Sequence, residues 1–213
     1  MVIVGSLTAL FAGLVGVFQN DIKKIIAYST CSQLGYMFLM CGLSQYNLAF
    51  YHLISHAFFK ALLFLVGGVI IVIYKDQDLR KIKGVRYISM FIYVVLTIGV
   101  IALDGFYFFA SIDSKDCIIE LTAYTLIFGR GALFSFAVLG FLLTISYNSV
   151  LLDICAEYSK KTNQKIDLRF VLVLTFLGIL TILSSFFLCK PLVGDFLADG
   201  IFINYLNNKV LST

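Results

Sequence analysis

"ALDGFYFFASIDSKD", residues 102 to 116, sits in the middle of a 44-residue stretch, Tyr87 to Arg130, that is otherwise largely apolar. It carries three aspartates and a lysine. One ordinary membrane-spanning helix takes roughly 20 residues. The stretch is therefore either two spans joined by a charged loop, or one helix broken near its middle. That choice sets the sidedness of everything after it.

The surroundings justify thinking in spans. The chain of 213 residues is 61% hydrophobic and 13% charged, about half the soluble norm of roughly 25%. Its mean hydropathy is +0.98. Apolar runs recur at Met1 to Gln19, Ile22 to Leu43, Leu48 to Tyr74, Ala132 to Asp153 and Phe170 to Cys189. Between them lie the turn Asn20-Asp21, "SQYN" after Leu43, the loop "KDQDLRKIKGVR" at 75 to 86, and "EYSKKTNQKIDLR" at 157 to 169. The tail, 190 to 213, holds the only proline and an apolar "GIFINYL" suited to the membrane interface. This is an all-α, polytopic transmembrane bundle with no large soluble domain.

Lysine and arginine gather on the side where insertion leaves them. With one broken span over 87 to 130, the loops after the first, third and fifth spans share a side. They then hold 11 Lys and Arg residues against 3 on the other side. With two spans everything after the stretch changes sides and the count becomes 10 against 5, Lys115 then lying in the joining loop. The asymmetry favours the broken helix, with the lysine-rich loops facing the matrix or cytoplasm. The net charge of +4 thus reports orientation. No basic patch interleaved with aromatics points to nucleic acid.

Five cysteines, at 31, 41, 117, 155 and 189, are widely spaced without a CxxC, so neither a disulfide framework nor a zinc site is signalled. Met1 leads into an apolar segment with no basic n-region or presequence, and no cleaved targeting signal is expected. There is no Walker motif, GxGxxG or nucleophile elbow.

The chemistry sits in "HLISHAFFKALLF", residues 52 to 64. His52, His56 and Lys60 are spaced i, i+4, i+8, which forms one helix stripe of roughly 12 Å. A charge at bilayer depth costs at least about 2.5–3.5 kcal/mol and so faces water or a partner rather than lipid. A stripe of groups that gain and lose protons near working pH can relay them. Two other readings compete: hydrogen bonding for helix packing, and a metal held by HxxxH. The second lacks a Glu after the first His and a third soft ligand nearby.

Lys115 and Asp116 form a second site at the expected break, with Asp104, Asp113 and Glu120 close in sequence. Broken helices place ionisable groups and backbone dipoles near the midplane; a solvated loop cluster is the competing reading. Lys23 opens the second span, either pointing inward at the rim or snorkelling to fix topology. "YSTCSQ", residues 28 to 33, puts hydroxyls and an amide on the same helix, to order water or to bond neighbouring helices. Gly67-Gly68 permits close helix contact or a kink.

Four stretches occur in order: "QNDIKKIIAYSTCSQLGYM" (19 to 37), "HLISHAFFKALLFLVGG" (52 to 68), "DQDLRKIKG" (76 to 84) and "SKDCIIE" (114 to 120). Together they resemble the subunit 5 family of mitochondrial NADH dehydrogenase, respiratory complex I. The likeness is close over residues 1 to 155 and weaker beyond.

The resemblance implies two inverted five-helix repeats, each with a broken helix and a buried lysine. This chain resembles the second repeat, 1 to 155, followed by a loop, a sixth span and a short tail over 156 to 213. By the same resemblance His52, His56 and Lys60 belong to the relay helix, Lys115 is the broken-helix lysine with Asp116 beside it toward the outlet, and Lys23 is the lysine of the DIKK motif. Two departures stand out. The first repeat and the long lateral helix are absent, so a split gene is expected. In the broken helix, Tyr107 stands where the family has proline and Ser111 where it has glycine.

The implied function is part of a proton-translocation channel in the mitochondrial inner membrane, coupled to NADH:ubiquinone oxidoreduction at remote sites. This chain itself would do no redox chemistry and hold no cofactor or metal; FMN, iron–sulfur clusters and ubiquinone would bind elsewhere. Expected partners are a polypeptide carrying the first repeat, the adjacent antiporter-like subunit 4, accessory subunits, and lipids including cardiolipin, with no nucleic acid. The alternatives are a subunit of a multi-subunit cation/proton antiporter and a non-pumping structural half-subunit.

Overall fold

The computed structural model describes residues 1–106, 115–119, 122, 130–157 and 168–189. Tyr107, Ser111, Asp113, Glu120, the loop 158–167 and the tail from 190 lie outside the described residues. The elements are α1 (Val2–Val17), α2 (Ile22–Gly42), α3 (Tyr46–Tyr74), the single turn α4 (Val85–Ile88), α5 (Met90–Asp104), α6 (Arg130–Ala156) and α7 (Leu168–Cys189). Residues 115–119 and 122 are also helical. No strand occurs among the described residues; one isolated bridge joins Asp21 and Asp78.

Small residues set the tightest crossing. A Cβ on Gly5 of α1 would lie 2.6 Å from the Leu39 nitrogen of α2, and one on Gly35 would lie 2.6 Å from the Ala9 nitrogen. Backbones can meet so closely only where both surfaces are nearly bare, which is how helices pack without a hydrophobic drive between them. Around this pair, α3 packs on α2, α5 and α7, and α6 packs on α1, α2 and α5. The helix faces left outside these contacts are apolar, as at Leu7, Phe11, Val72, Leu142 and Phe176. By length and composition alone, α3 and the Ser135–Asp153 part of α6 qualify as spans. The helix α2 carries more polar groups, but its Ser29, Ser32 and Gln33 side chains are buried in the bundle rather than turned toward lipid.

The break expected within 87–130 begins at Gly105. Ser89 opens α5, its Oγ accepting from the Ile92 N–H at 3.4 Å. The helix then runs for 15 residues, about 22 Å, short of the ~30 Å hydrocarbon thickness. It stops because Gly105 takes a left-handed conformation at φ 79°, which costs any residue with a Cβ. The sequence places the break near Lys115-Asp116; the described end of α5 lies ten residues earlier, and Lys115 already sits in helical backbone.

One end of the bundle gathers the loops after α1 and α3 and the C-terminal end of α6. The Ile22 N–H donates to the Gln77 carbonyl at 3.1 Å and the Leu79 N–H to Asn20 at 2.8 Å. Lys83 pairs with Glu157 at 2.7 Å. Below them Leu79, Ile82 and Val85 join a core with Ile22, Leu62 and Ile92. A second apolar cluster at the other end includes Ala9, Leu39, Met40, Leu48 and Tyr51. On α2 and α3 the segments 29–33 and 52–60 fall between these clusters, and there the buried side chains turn polar.

Candidate functional site

Lys60 is the middle residue of α3, with fourteen helical residues before it and fourteen after. Its side chain is 4% exposed. The face it shares with His52, Ser55, His56 and Phe59 is buried against α2, because these positions recur every three or four residues on one side of the helix. The Nζ donates to Ser29 Oγ. Ser29 gives its own proton to the Ile26 carbonyl at 2.9 Å, which leaves a lone pair for the lysine. One turn along α2, Gln33 Oε1 lies 3.1 Å from His52 Nε2. Ser29 and Gln33 of "YSTCSQ" thus bond the neighbouring helix; this is the choice that the sequence leaves open.

His56 lies between these two anchored groups. Its ring stacks on His52 at 6.2 Å between centroids and meets Phe59 edge-on at 5.3 Å. Its Nε2 is buried and has no hydrogen-bond partner among the described residues. An unsatisfied buried imidazole nitrogen costs roughly 1–3 kcal/mol, a penalty that bridging water relieves.

Lys115 enters from the far side of the break. It is 4% exposed and its Nζ donates to the carbonyl of Leu103, in the last turn of α5. The last carbonyls of a helix have no partner within it, and their negative dipole end favours a cation. The broken helix therefore creates the acceptor that holds this lysine. The ammonium also lies over the Phe141 ring of α6 at 5.3 Å, in a small pocket shared with Tyr36, Ile118 and Ala137. Beside it, Asp104 accepts from Asn148 Nδ2 at 2.5 Å.

Lys115 is within electrostatic reach of His52, His56 and Lys60. The structure thus brings four of the six expected residues together on two packed segments. The other two stand apart. Asp116 follows Lys115 along the same helical segment but is exposed. Lys23 is exposed in the first turn of α2, next to the Lys24–Asp21 ion pair at 3.0 Å. Among the described residues no group of three His, Cys, Asp or Glu side chains stands close enough to hold a metal ion.

The partners that sequence reasoning missed are Ser29 and Gln33 in their specific pairings, and the Asp104–Asn148 pair. Asn148 carries no signal in "SYNSV". Asp104 does carry one, as a carboxylate inside the apolar run "VIALDG".

Residues 1–144 match the sequence model of the family described as NADH:quinone oxidoreductase/Mrp antiporter, transmembrane. The chain is 38% identical to NADH-ubiquinone oxidoreductase chain 5 of Acanthamoeba castellanii, over 98% of this chain and 33% of that protein. It is 40% identical to the chain 5 of Phytophthora infestans over the same shares. A shorter alignment to the chain 5 of Metridium senile reaches 54% identity over 56% of this chain and 20% of that protein. The chain thus spans about a third of the length of the first two curated relatives. Its fold is similar to a chain of the membrane-bound sulfane sulfur reductase, an archaeal respiratory membrane complex, with TM-score 0.78 over 87% of this chain and 38% of that one at 24% identity.

Proposed function

The chain belongs to the NADH:quinone oxidoreductase/Mrp antiporter transmembrane family, and from that premise we propose that it is a membrane-arm piece of respiratory complex I carrying part of a proton path. The observation that carries this reading is the pair of buried lysines, Lys60 and Lys115, each held by an uncharged acceptor, with His52 and His56 alongside Lys60. Neutral acceptors hold a lysine in place without fixing its proton. A lysine in a carboxylate salt bridge would keep its charge; these two can give it up.

In the proposed route protons pass between Lys60, the two histidines and Lys115 through bridging water, with Lys23 at the rim and Asp116 toward the outlet. The driving force comes from redox chemistry elsewhere in the assembly, where NADH, FMN, iron–sulfur clusters and ubiquinone react. The proposed setting is the mitochondrial inner membrane. The partners are the neighbouring antiporter-like subunit 4, other membrane-arm subunits, and anionic lipid such as cardiolipin against the lysine-rich loops.

The test is Lys115→Met in the assembled complex, with proton uptake followed in inner-membrane vesicles oxidising NADH. Pumping falls by about an order of magnitude or more; undiminished pumping sinks the role. The family description also includes Mrp antiporters, so the second reading is a subunit of a cation/proton antiporter. Sodium-dependent proton exchange in proteoliposomes without NADH oxidation would favour it.

A further inference from the structure

We infer that Asp104 is a working member of this path: the carboxylate through which Lys60 and Lys115 exchange a proton, held in position by Asn148. The inference rests on the proton-path reading above and adds to it a residue outside the stripe and the lysine pair.

Three observations carry it. Asp104 is the last residue of α5, 8% exposed, one position beyond the carbonyl that accepts from Lys115. Its Oδ1 accepts from the Asn148 amide at 2.5 Å. An amide fixes a carboxylate without neutralising it, because it has no exchangeable charge. The ionisable groups within electrostatic reach of it lie on three segments: Lys60 on α3, Lys115 across the break and Tyr147 on α6. Asp104 is thus the one buried carboxylate among the described residues, and it lies within electrostatic reach of both buried lysines.

The step balances. Protonated Lys60 gives its proton to the Asp104 carboxylate through bridging water, and the resulting acid gives it to neutral Lys115 by the same means. Lys60 returns to the amine and Asp104 to the carboxylate. The three groups together carry no net charge before, during or after the transfer. A lone ammonium passed between two lysines would remain an uncompensated charge in a low-dielectric layer throughout, which is expensive.

The experiment compares Asp104→Asn, Asp104→Glu and Lys115→Met in the assembled complex, with assembly checked on a native gel and proton uptake measured across pH. Asp104→Asn is expected to slow uptake about tenfold or more and to move its alkaline limb to lower pH. Asp104→Glu is expected to restore most of the rate and the wild-type profile. Wild-type uptake in Asp104→Asn alongside blocked Lys115→Met overturns the role of Asp104 and leaves the lysine path standing. Wild-type uptake in both overturns the path itself. Equal impairment in Asn and Glu variants with an unmoved pH profile means packing alone, and also overturns the inference. Should Asp104→Asn fail to assemble, Asn148→Ser keeps the carboxylate and loosens its hold; a slowed rate with a shifted limb supports the inference and an unchanged profile overturns it.

Discussion

At the scale of single residues, the site depends on which partner each buried group has. Ser29 is the acceptor for Lys60, and a hydrogen bond from a charged donor is worth about 1.5–3 kcal/mol. Ser29→Ala is expected to slow proton uptake roughly tenfold, and Ser29→Thr, which keeps the hydroxyl, to restore most of it. Equal rates in the wild type and the alanine variant would remove Ser29 from the site. The lysine itself was legible in the sequence, and so were the histidines, since i, i+4, i+8 spacing is a property of one helix. Their partners were not. That Ser29 meets Lys60 and Gln33 meets His52 depends on the register between α2 and α3, which no local pattern encodes. The same limit explains Lys23 and Asp116. In sequence they look like Lys60 and Lys115, because a charge beside an apolar run does not reveal which face it occupies.

Helices as elements are held by close approach and by two glycines with opposite roles. Gly35 is bare so that α1 can touch α2: a Cβ there would lie 2.6 Å from the Ala9 nitrogen and 2.8 Å from the Gly5 carbonyl oxygen. Neither backbone atom can swing away. Gly35→Leu is therefore expected to separate the pair, costing about 3 kcal/mol or more, and to reduce the chain recovered in the assembled complex. Pulse-labelled assembly on a native gel reads this directly. Gly105 acts through conformation instead. With φ at 79° it ends α5 early and frees the Leu103 carbonyl for Lys115. Gly105→Ala is expected to cost about 1–2 kcal/mol, and Gly105→Val more, with pumping lost before assembly is. The broken helix could be foreseen from loop charge, which is a statement about topology. The position of its end could not, because "DGFYFF" contains no proline and a single glycine in an apolar run is an ambiguous stop.

At the scale of the whole molecule, sidedness ties sequence to fold. The count of 11 basic loop residues against 3 favours a shared side for the loops after α1, α3 and α6, and the backbone bonds between Asn20 and Leu79 and between Ile22 and Gln77, with the Lys83–Glu157 pair, bring the first two loops and the end of α6 together. Those ion pairs are exposed, and each is worth little in stability. Their use here is as markers of position. The backbone clamp is what fastens the α3–α4 loop, helped by its own charges: Arg80 bonded to Asp78 holds that carboxyl down at about 2, and Lys81 holds Asp76 below its usual range. A lowered carboxylate pKa means stability present at and above the ordinary carboxylate range and lost as pH falls through the lowered value. The clamp should accordingly persist from neutral pH to about pH 4. Single cysteines at Lys24, Lys83 and Glu157, in a chain whose own five cysteines are replaced by serine or alanine, should all react with a membrane-impermeant maleimide from the same side of sealed vesicles. A cysteine at Asn47, at the start of α3, should react only from the other. Labelling of the Glu157→Cys variant from the Asn47 side would mean that 87–130 crosses the membrane twice. Lys115 would then lie in a loop, and the path from Lys60 to Lys115 would have no membrane to cross.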